Sequence, residues 1–205
     1  MKFFGREINL GAMEHITEGD SAYDRDDYSL AISKYTNATS IDSSNYYPIM
    51  KRGMCYKMIK KYDKAILDLL KAKNIYNNFE INQTIAECYL FKNEFLKAID
   101  YFEIALIKIK EIEKIDSINA RGVDYAATKA RLLNNLAICY LKSNQFEQAI
   151  SIATNGINAN PDYPNNYGIR GIAYLQAGEI AKGKSDLQRA ADMGDVRSQM
   201  LLSQI

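Results

Sequence analysis

The sequence predicts an all-α chain built as a solenoid of antiparallel helix pairs. Three observations carry this. The residue pair cysteine-tyrosine occurs three times, as Cys55-Tyr56, Cys88-Tyr89 and Cys139-Tyr140. Each pair stands about nine residues before a Lys/Gln-Ala-Ile triplet: Lys64-Ala65-Ile66, Lys97-Ala98-Ile99 and Gln148-Ala149-Ile150. The intervals between the pairs are 33 and 51 residues, the second being one 34-residue period plus 17. A period of this length marks stacked supersecondary units, each burying its apolar face on its neighbour.

Five units follow from this register, beginning near Ala12, Tyr46, Phe79, Ala130 and Pro164. Their eighth positions hold Gly19, Gly53, Ala86, Ala137 and Gly171, and their twentieth hold Ala31, Ala65, Ala98, Ala149 and Gly183. The large residues Tyr35, Leu69, Phe102 and Leu187 share the twenty-fourth position, where the fourth unit has Ala153. Small residues let helices approach closely and large ones fill the space between them.

Taken in order, residues 1–11 form a short extension, either a cap that packs Phe3, Phe4, Ile8 and Leu10 on the first unit or a loose arm. The first helix is expected near 12–25, and Asp26-Asp27 turns the chain into a helix whose Tyr28, Ala31, Ile32, Tyr35 and Ala38 make one apolar face. The remaining domain, 12–205, divides near 12–45, 46–78, 79–112, 130–163 and 164–195, with an insert at 113–129 and a cap at 196–205. The insert reads as a lengthened helical hairpin. Ile104, Ile107, Ile112, Ile115 and Ile118 continue one stripe, Val123, Ala126, Ala127, Ala130 and Leu133 begin the next, and Asn119 and Gly122 mark the reversal. Each helix is expected to gain about two turns, roughly 11 Å. A short helix from Asp195 to Leu202 closes the array, because a terminal repeat must cover its outer face.

This alternation of small and large residues resembles the tetratricopeptide repeat over about 180 of the 205 residues. The resemblance implies a right-handed superhelical solenoid with a lengthened hairpin between repeats three and four. Its lining would come from the first helix of each pair. In the second unit that lining is Tyr47, Met50, Lys51, Met54 and Lys57; in the third it includes Gln83, Thr84, Glu87 and Leu90. In the fourth it is Arg131, Asn134, Asn135, Ile138 and Leu141, and in the fifth Asn165, Gly168, Ile169, Ile172 and Gln176 or its neighbour Leu175. Apolar spots among amide and charged groups suit an extended or helical peptide. The implied role is a protein-interaction scaffold. The alternatives are a self-associating structural repeat protein and a co-chaperone-like protein with a non-standard groove.

The stretch Leu133–Ala190 is similar to the repeats of immunophilin co-chaperones, which grip a carboxylate with two lysines, two asparagines and an arginine. The five equivalent places starting from the first unit hold Ile16, Asp20, Lys51, Glu80 and Thr84. Later frames hold Met50, Met54, Thr84, Arg131 and Asn135, or Gln83, Glu87, Asn135, Asn165 and Ile169. None reproduces the clamp, and Asp20, Glu80 and Glu87 would repel a carboxylate.

No catalytic set is expected. The single histidine, His15, has no predicted nucleophile beside it, and no Gly-rich phosphate loop or HExxH motif is present. No metal or cofactor is implied. The three cysteines share one repeat position, so successive copies lie about 20 Å apart at ordinary helix spacing, and a disulfide needs about 7 Å. They read as buried thiols. Net charge is +1, no run of 18 apolar residues occurs, and the opening residues lack a secretory pattern, so a cytoplasmic protein without a membrane span or nucleic-acid preference is expected. Charge is nevertheless uneven. Residues 46–78 carry eight basic against two acidic side chains, a net +6, while 12–45 carry two against seven, a net −5.

Overall fold

The computed structural model describes residues 2–3, 6–7, 10–118 and 124–205. Two short strands, β1 (Lys2–Phe3) and β2 (Arg6–Glu7), pair antiparallel with Phe3 opposite Arg6. Everything else that is regular is helical. The chain divides into two compact units, Met1–Lys92 and Asn93–Ile205.

The first unit holds α1 (Leu10–Asp24), α2 (Tyr28–Ile41), α3 (Tyr46–Met58), α4 (Tyr62–Ile75) and α5 (Phe79–Phe91). Each helix packs on the next along the chain. The small-against-large register explains how closely. A Cβ at Gly19 would stand 2.6 Å from the Tyr35 ring, and one at Gly53 would stand 2.8 Å from Leu69. Asn45 and Asn78 cap α3 and α5, accepting from Tyr47 N at 3.0 Å and from Ile81 N at 2.9 Å.

The second unit holds α6 (Phe95–Ile118), α7 (Ala126–Lys142), α8 (Phe146–Ala159), α9 (Pro164–Gln176), α10 (Ile180–Asp192) and α11 (Val196–Leu202). Backbone approaches backbone where α9 crosses α10: a Cβ on Gly171 would meet Gly183 O at 3.0 Å and one on Gly183 would meet Gly171 O at 2.9 Å. The short α11 packs on α10 as the expected terminal helix.

The insert lengthens its two helices, but unequally. α6 has 24 residues against 14 in α4, whereas α7 has 17 against 13 in α3. Its stripe also differs from the expected one. The buried side of α6 runs through Phe102, Ala105, Ile109 and Asp116, whereas Ile107 and Ile115 are more than half exposed. Spacings of three, four and seven hold one helical face, and Ile107 falls off that face. Polar ties close the hairpin: Tyr125 Oη donates to Asp116 at 2.8 Å and Lys129 Nζ to Glu113 at 3.0 Å. The reversal expected at Asn119 and Gly122, together with Val123, lies outside the described residues.

One local feature recurs in every repeat. The fifteenth position is left-handed: Asp26, Lys60, Asn93 and Asn144 have φ of 59°, 60°, 60° and 59°, and Gly178 has 82°. The next amide then reaches back to close the first helix, as Lys61 N does to Tyr56 O at 2.8 Å and Glu179 N to Tyr174 O at 2.8 Å.

Candidate functional site

The residues expected to line a groove fall into two sets, one in each unit, and the sets differ chemically. In the first unit, Asp20 on α1 accepts from Tyr35 Oη at 2.6 Å and from Tyr47 Oη at 3.1 Å. Lys51 lies 3.8 Å from the same carboxylate and 4.2 Å over the Tyr23 ring. Burial, with the Asp20 charge behind it, pushes the hydroxyls of Tyr35 and Tyr47 far above the usual phenol range, so they act as donors. Further along, Lys57 Nζ meets Glu87 at 2.5 Å, and Gln83 Nε2 donates to Glu87 at 2.7 Å. Thr84 is buried and donates to Glu80 O at 2.8 Å, and Met50 is buried too. Met54 and Leu90 remain half-buried. The polar members of this set are thus bonded to one another or to their own helix.

The second unit is arranged differently. Asn134 is buried and donates to Asn165 O at 3.0 Å, and Ile169 is buried. Ile138, Leu141 and Ile172 are half-buried, Asn135 is half-buried, and Arg131 and Asn165 are exposed. Ile138, Leu141, Ile169 and Ile172 join Phe146 to line a cleft of about 270 Å³. Its edge carries Lys142, Asn144, Gln176 and, from the terminal helix, Arg197. A smaller hollow of about 50 Å³ continues past Asn134, Asn165 and Gly168 to Asp195 and Ser198. Gly168 admits α11 to this edge, because a Cβ there would stand 2.9 Å from Ser198 Oγ. Among the described residues neither Lys142 nor Arg197 has an ion-pair partner.

Phe146, Lys142, Asn144 and Arg197 were not among the residues expected from sequence. Arg197 had a legible signal: Val196 to Leu202 stands where the first helix of a sixth unit would begin. The others line the turn between α7 and α8, which inner-face positions alone do not pick out.

A second arrangement was also missed. Arg52 holds Asp68 through two nitrogens at 2.7 and 2.9 Å and donates to Thr36 at 3.1 Å. Arg170 repeats this on Asp186 at 2.6 and 2.8 Å and on Thr154 at 3.1 Å. Thr36, Arg52 and Asp68 are spaced by sixteen and sixteen residues, as are Thr154, Arg170 and Asp186. Each set ties three successive helices together. Asp68 and Asp186 are buried, so these are internal braces.

The three cysteines are free and buried, and burial pushes each thiol up to about 12. His15 sits 3.3 Å from Glu18 on an exposed helix face. Among the described residues no group of three His, Cys, Asp or Glu side chains is placed to hold a metal ion, and no helix is long and apolar enough to cross a membrane.

Comparison with known proteins places this geometry. The sequence profile of the tetratricopeptide repeat matches residues 130–163. The chain is 21% identical over 203 residues to Hsp70-Hsp90 organizing protein 3 of Arabidopsis thaliana, covering 89% of this chain and 36% of that protein. It is 25% identical over 152 residues to tetratricopeptide repeat protein 6 of Homo sapiens, covering 74% of this chain and 26% of that one. The chain therefore spans between about a quarter and about a third of the length of these relatives. Among solved structures it superposes on MamA with a TM-score of 0.74 at 19% identity, covering 94% and 96% of the two chains. It superposes on YrrB, described as a TPR protein with an unusual peptide-binding site, with a TM-score of 0.76 at 15% identity, covering 95% and 92%. At these identities the structural likeness is one of fold.

Proposed function

We propose that this chain, which is similar to tetratricopeptide-repeat proteins in sequence and fold, is an adaptor holding a protein or peptide segment on the first-helix face of its second unit. The observation that carries this is the cleft over Ile138, Leu141, Ile169 and Ile172, with Lys142 and Arg197 at its edge and in no ion pair among the described residues. Its volume, about 270 Å³, is just below the range of small-molecule sites, roughly 300–1,000 Å³. That size suits one or two bulky side chains of a longer segment. Burying one such side chain contributes about 1.5–3 kcal/mol. The cationic edge favours carboxylates beside that anchor. The role is binding and not catalysis, and a cytoplasmic location fits the company of the organizing proteins it resembles.

Those relatives also favour a second reading, a co-chaperone-like adaptor. The carboxylate-clamp places do not support the usual contact, since Asp20 and Lys51 are already engaged with Tyr35, Tyr47 and each other. A co-chaperone role would therefore run through the cleft of the second unit.

Peptide display against the full chain tests the proposal. Selected peptides are expected to share a bulky apolar residue with acidic neighbours. They should lose binding to an Ile172→Glu variant of unchanged helicity and keep it with Met54→Glu. Peptides indifferent to Ile172→Glu would move the site off this face.

A further inference from the structure

We propose a second interaction surface, on the outer face of α4, whose occupant is the acidic outer face of α1 in another copy of this chain. The two faces lie in one unit, and each is left unsatisfied within it. On α4, Lys64, Leu67, Lys71 and Ile75 recur at helical spacing on one side; Leu67 is 57% and Ile75 39% exposed. Lys60 and Lys61 stand at the head of the same helix and are exposed. The acids of α4 do not neutralise this stripe: Asp63 is 2.7 Å from Lys92, and Asp68 is held by Arg52. Lys60, Lys61 and Lys71 have no ion pair among the described residues.

The outer face of α1 has the complementary character. Leu10, Met13, Glu14 and Asp24 fall on one side of the helix, with Leu10 79% and Met13 44% exposed. α1 contains four carboxylates and no lysine or arginine. Glu18 is engaged by Lys34 and Asp20 by Tyr35 and Tyr47, whereas Glu14 and Asp24 have no ion pair among the described residues. Glu14 and Asp24 are ten residues apart, about 15 Å along a helix, and Lys61 and Lys71 have the same spacing. Each face thus carries charges of one sign ten residues apart beside exposed apolar residues, and the two signs are opposite, the pattern that steers two surfaces together and then buries the apolar part. Because the two faces differ, the contact is heterologous, and each copy keeps one face free for another.

This surface is separate from the cleft of the second unit, and one experiment distinguishes them. Sedimentation velocity of the full chain at low ionic strength should show mass rising with concentration, and the rise should shrink at 0.5 M salt, where screening is short-ranged. Lys64→Glu/Lys71→Glu and Glu14→Lys/Asp24→Lys should each be monomeric with unchanged helicity, since all four side chains are exposed. An equimolar mixture of the two variants should associate again. A parent chain that stays monomeric at every concentration overturns the proposal. So does association that survives both charge reversals, or that is abolished by Ile172→Glu instead, which would assign it to the cleft. A monomer whose α4 lysines bind anionic lipid vesicles would replace the second copy with a lipid surface.

Discussion

The first-helix faces of the two units draw on the same repeat positions and reach opposite ends. At the sixth and ninth positions the first unit has Lys51, Met54, Thr84 and Glu87, and the second has Asn135, Ile138, Ile169 and Ile172. In the first unit Lys51 lies against Asp20 and the Tyr23 ring, Thr84 donates to Glu80 O, and Glu87 is held by Lys57 and Gln83, while Met54 is half-buried. In the second, Ile138, Ile169 and Ile172 line an apolar cleft whose edge carries two cations in no ion pair among the described residues. A surface whose polar groups are already bonded gains little by exchanging partners. One that exposes apolar atoms beside free charge gains from both burial and pairing. Each unit has its own first-helix face, and the side chains leave only that of the second unit open.

The largest effect expected falls on what the units share. Arg52-Asp68 and Arg170-Asp186 are the same bidentate brace, so Asp68→Ala and Asp186→Ala should each destabilise the chain by about 3–5 kcal/mol, because each leaves a guanidinium without its partner. Urea unfolding of the two variants checks this. A difference of more than about 2 kcal/mol between them would show that the repeated geometry hides unequal environments.

Next comes the contrast itself. Ile172→Glu should weaken a cleft-bound peptide at least about 30-fold, the loss of about 2 kcal/mol expected of a central anchor contact, while Met54→Glu should change it less than about 3-fold, as at a peripheral position. Calorimetric titration of both variants with one selected peptide reads the ratio. Equal losses would mean that both faces engage the ligand and that the internal pairs of the first unit open on binding.

Much of this was legible in sequence. Period, register and close approach all follow from which positions must be small, and Gly19 against Tyr35 or Gly171 against Gly183 are direct consequences. Which residues lie on the first helix of each pair was legible too. The state of that face was not, because that depends on partners brought together from different helices. Asp20 reaches Tyr35 and Tyr47 across 15 and 27 residues, and Lys57 reaches Glu87 across 30. The cleft needed Arg197 from a helix that sequence identifies only as a cap. The braces repeat at sixteen and sixteen residues, a spacing set by the helix-pair geometry and visible once the pair distance is known. The stripe on α6 was misjudged because isoleucines at mixed spacings leave open which face is buried, and only the neighbouring helix decides.

The thiols test packing in both units at once. Cys55 and Cys88 lie in the first and Cys139 in the second, all fully buried and pushed up to about 12. The thiolate is the reactive form, so at pH 8 only a small fraction is ionised even before access is considered. All three should resist a maleimide in the folded chain and react at once in denaturant, with mass spectrometry counting the adducts. Prompt labelling of Cys139 alone would show that the open cleft loosens the helix behind it, and would extend the difference between units from surface to core.

The smallest effect sits in the turns, where the two units again differ. The left-handed fifteenth position is Asn93, Asn144 and Gly178 in the second unit but Asp26 and Lys60 in the first. Asparagine and glycine tolerate this conformation, whereas a lysine there sets its Cβ against the following carbonyl, at about 1–2 kcal/mol. Glycine relieves that strain but adds freedom to the unfolded chain, so the net gain for Lys60→Gly is about 1 kcal/mol. That corresponds to about 2–4 °C in Tm for a chain of this size. Gly178→Lys should lower stability by a similar amount. Lys60 also heads the basic stripe on α4, so the same variant should slightly weaken any salt-sensitive association while it stabilises the fold. Opposite signs in the two measurements would show that the lysine is kept at a strained position for its charge. A loss of stability would instead mean that the Lys60 side chain contributes more to the folded unit than its backbone costs.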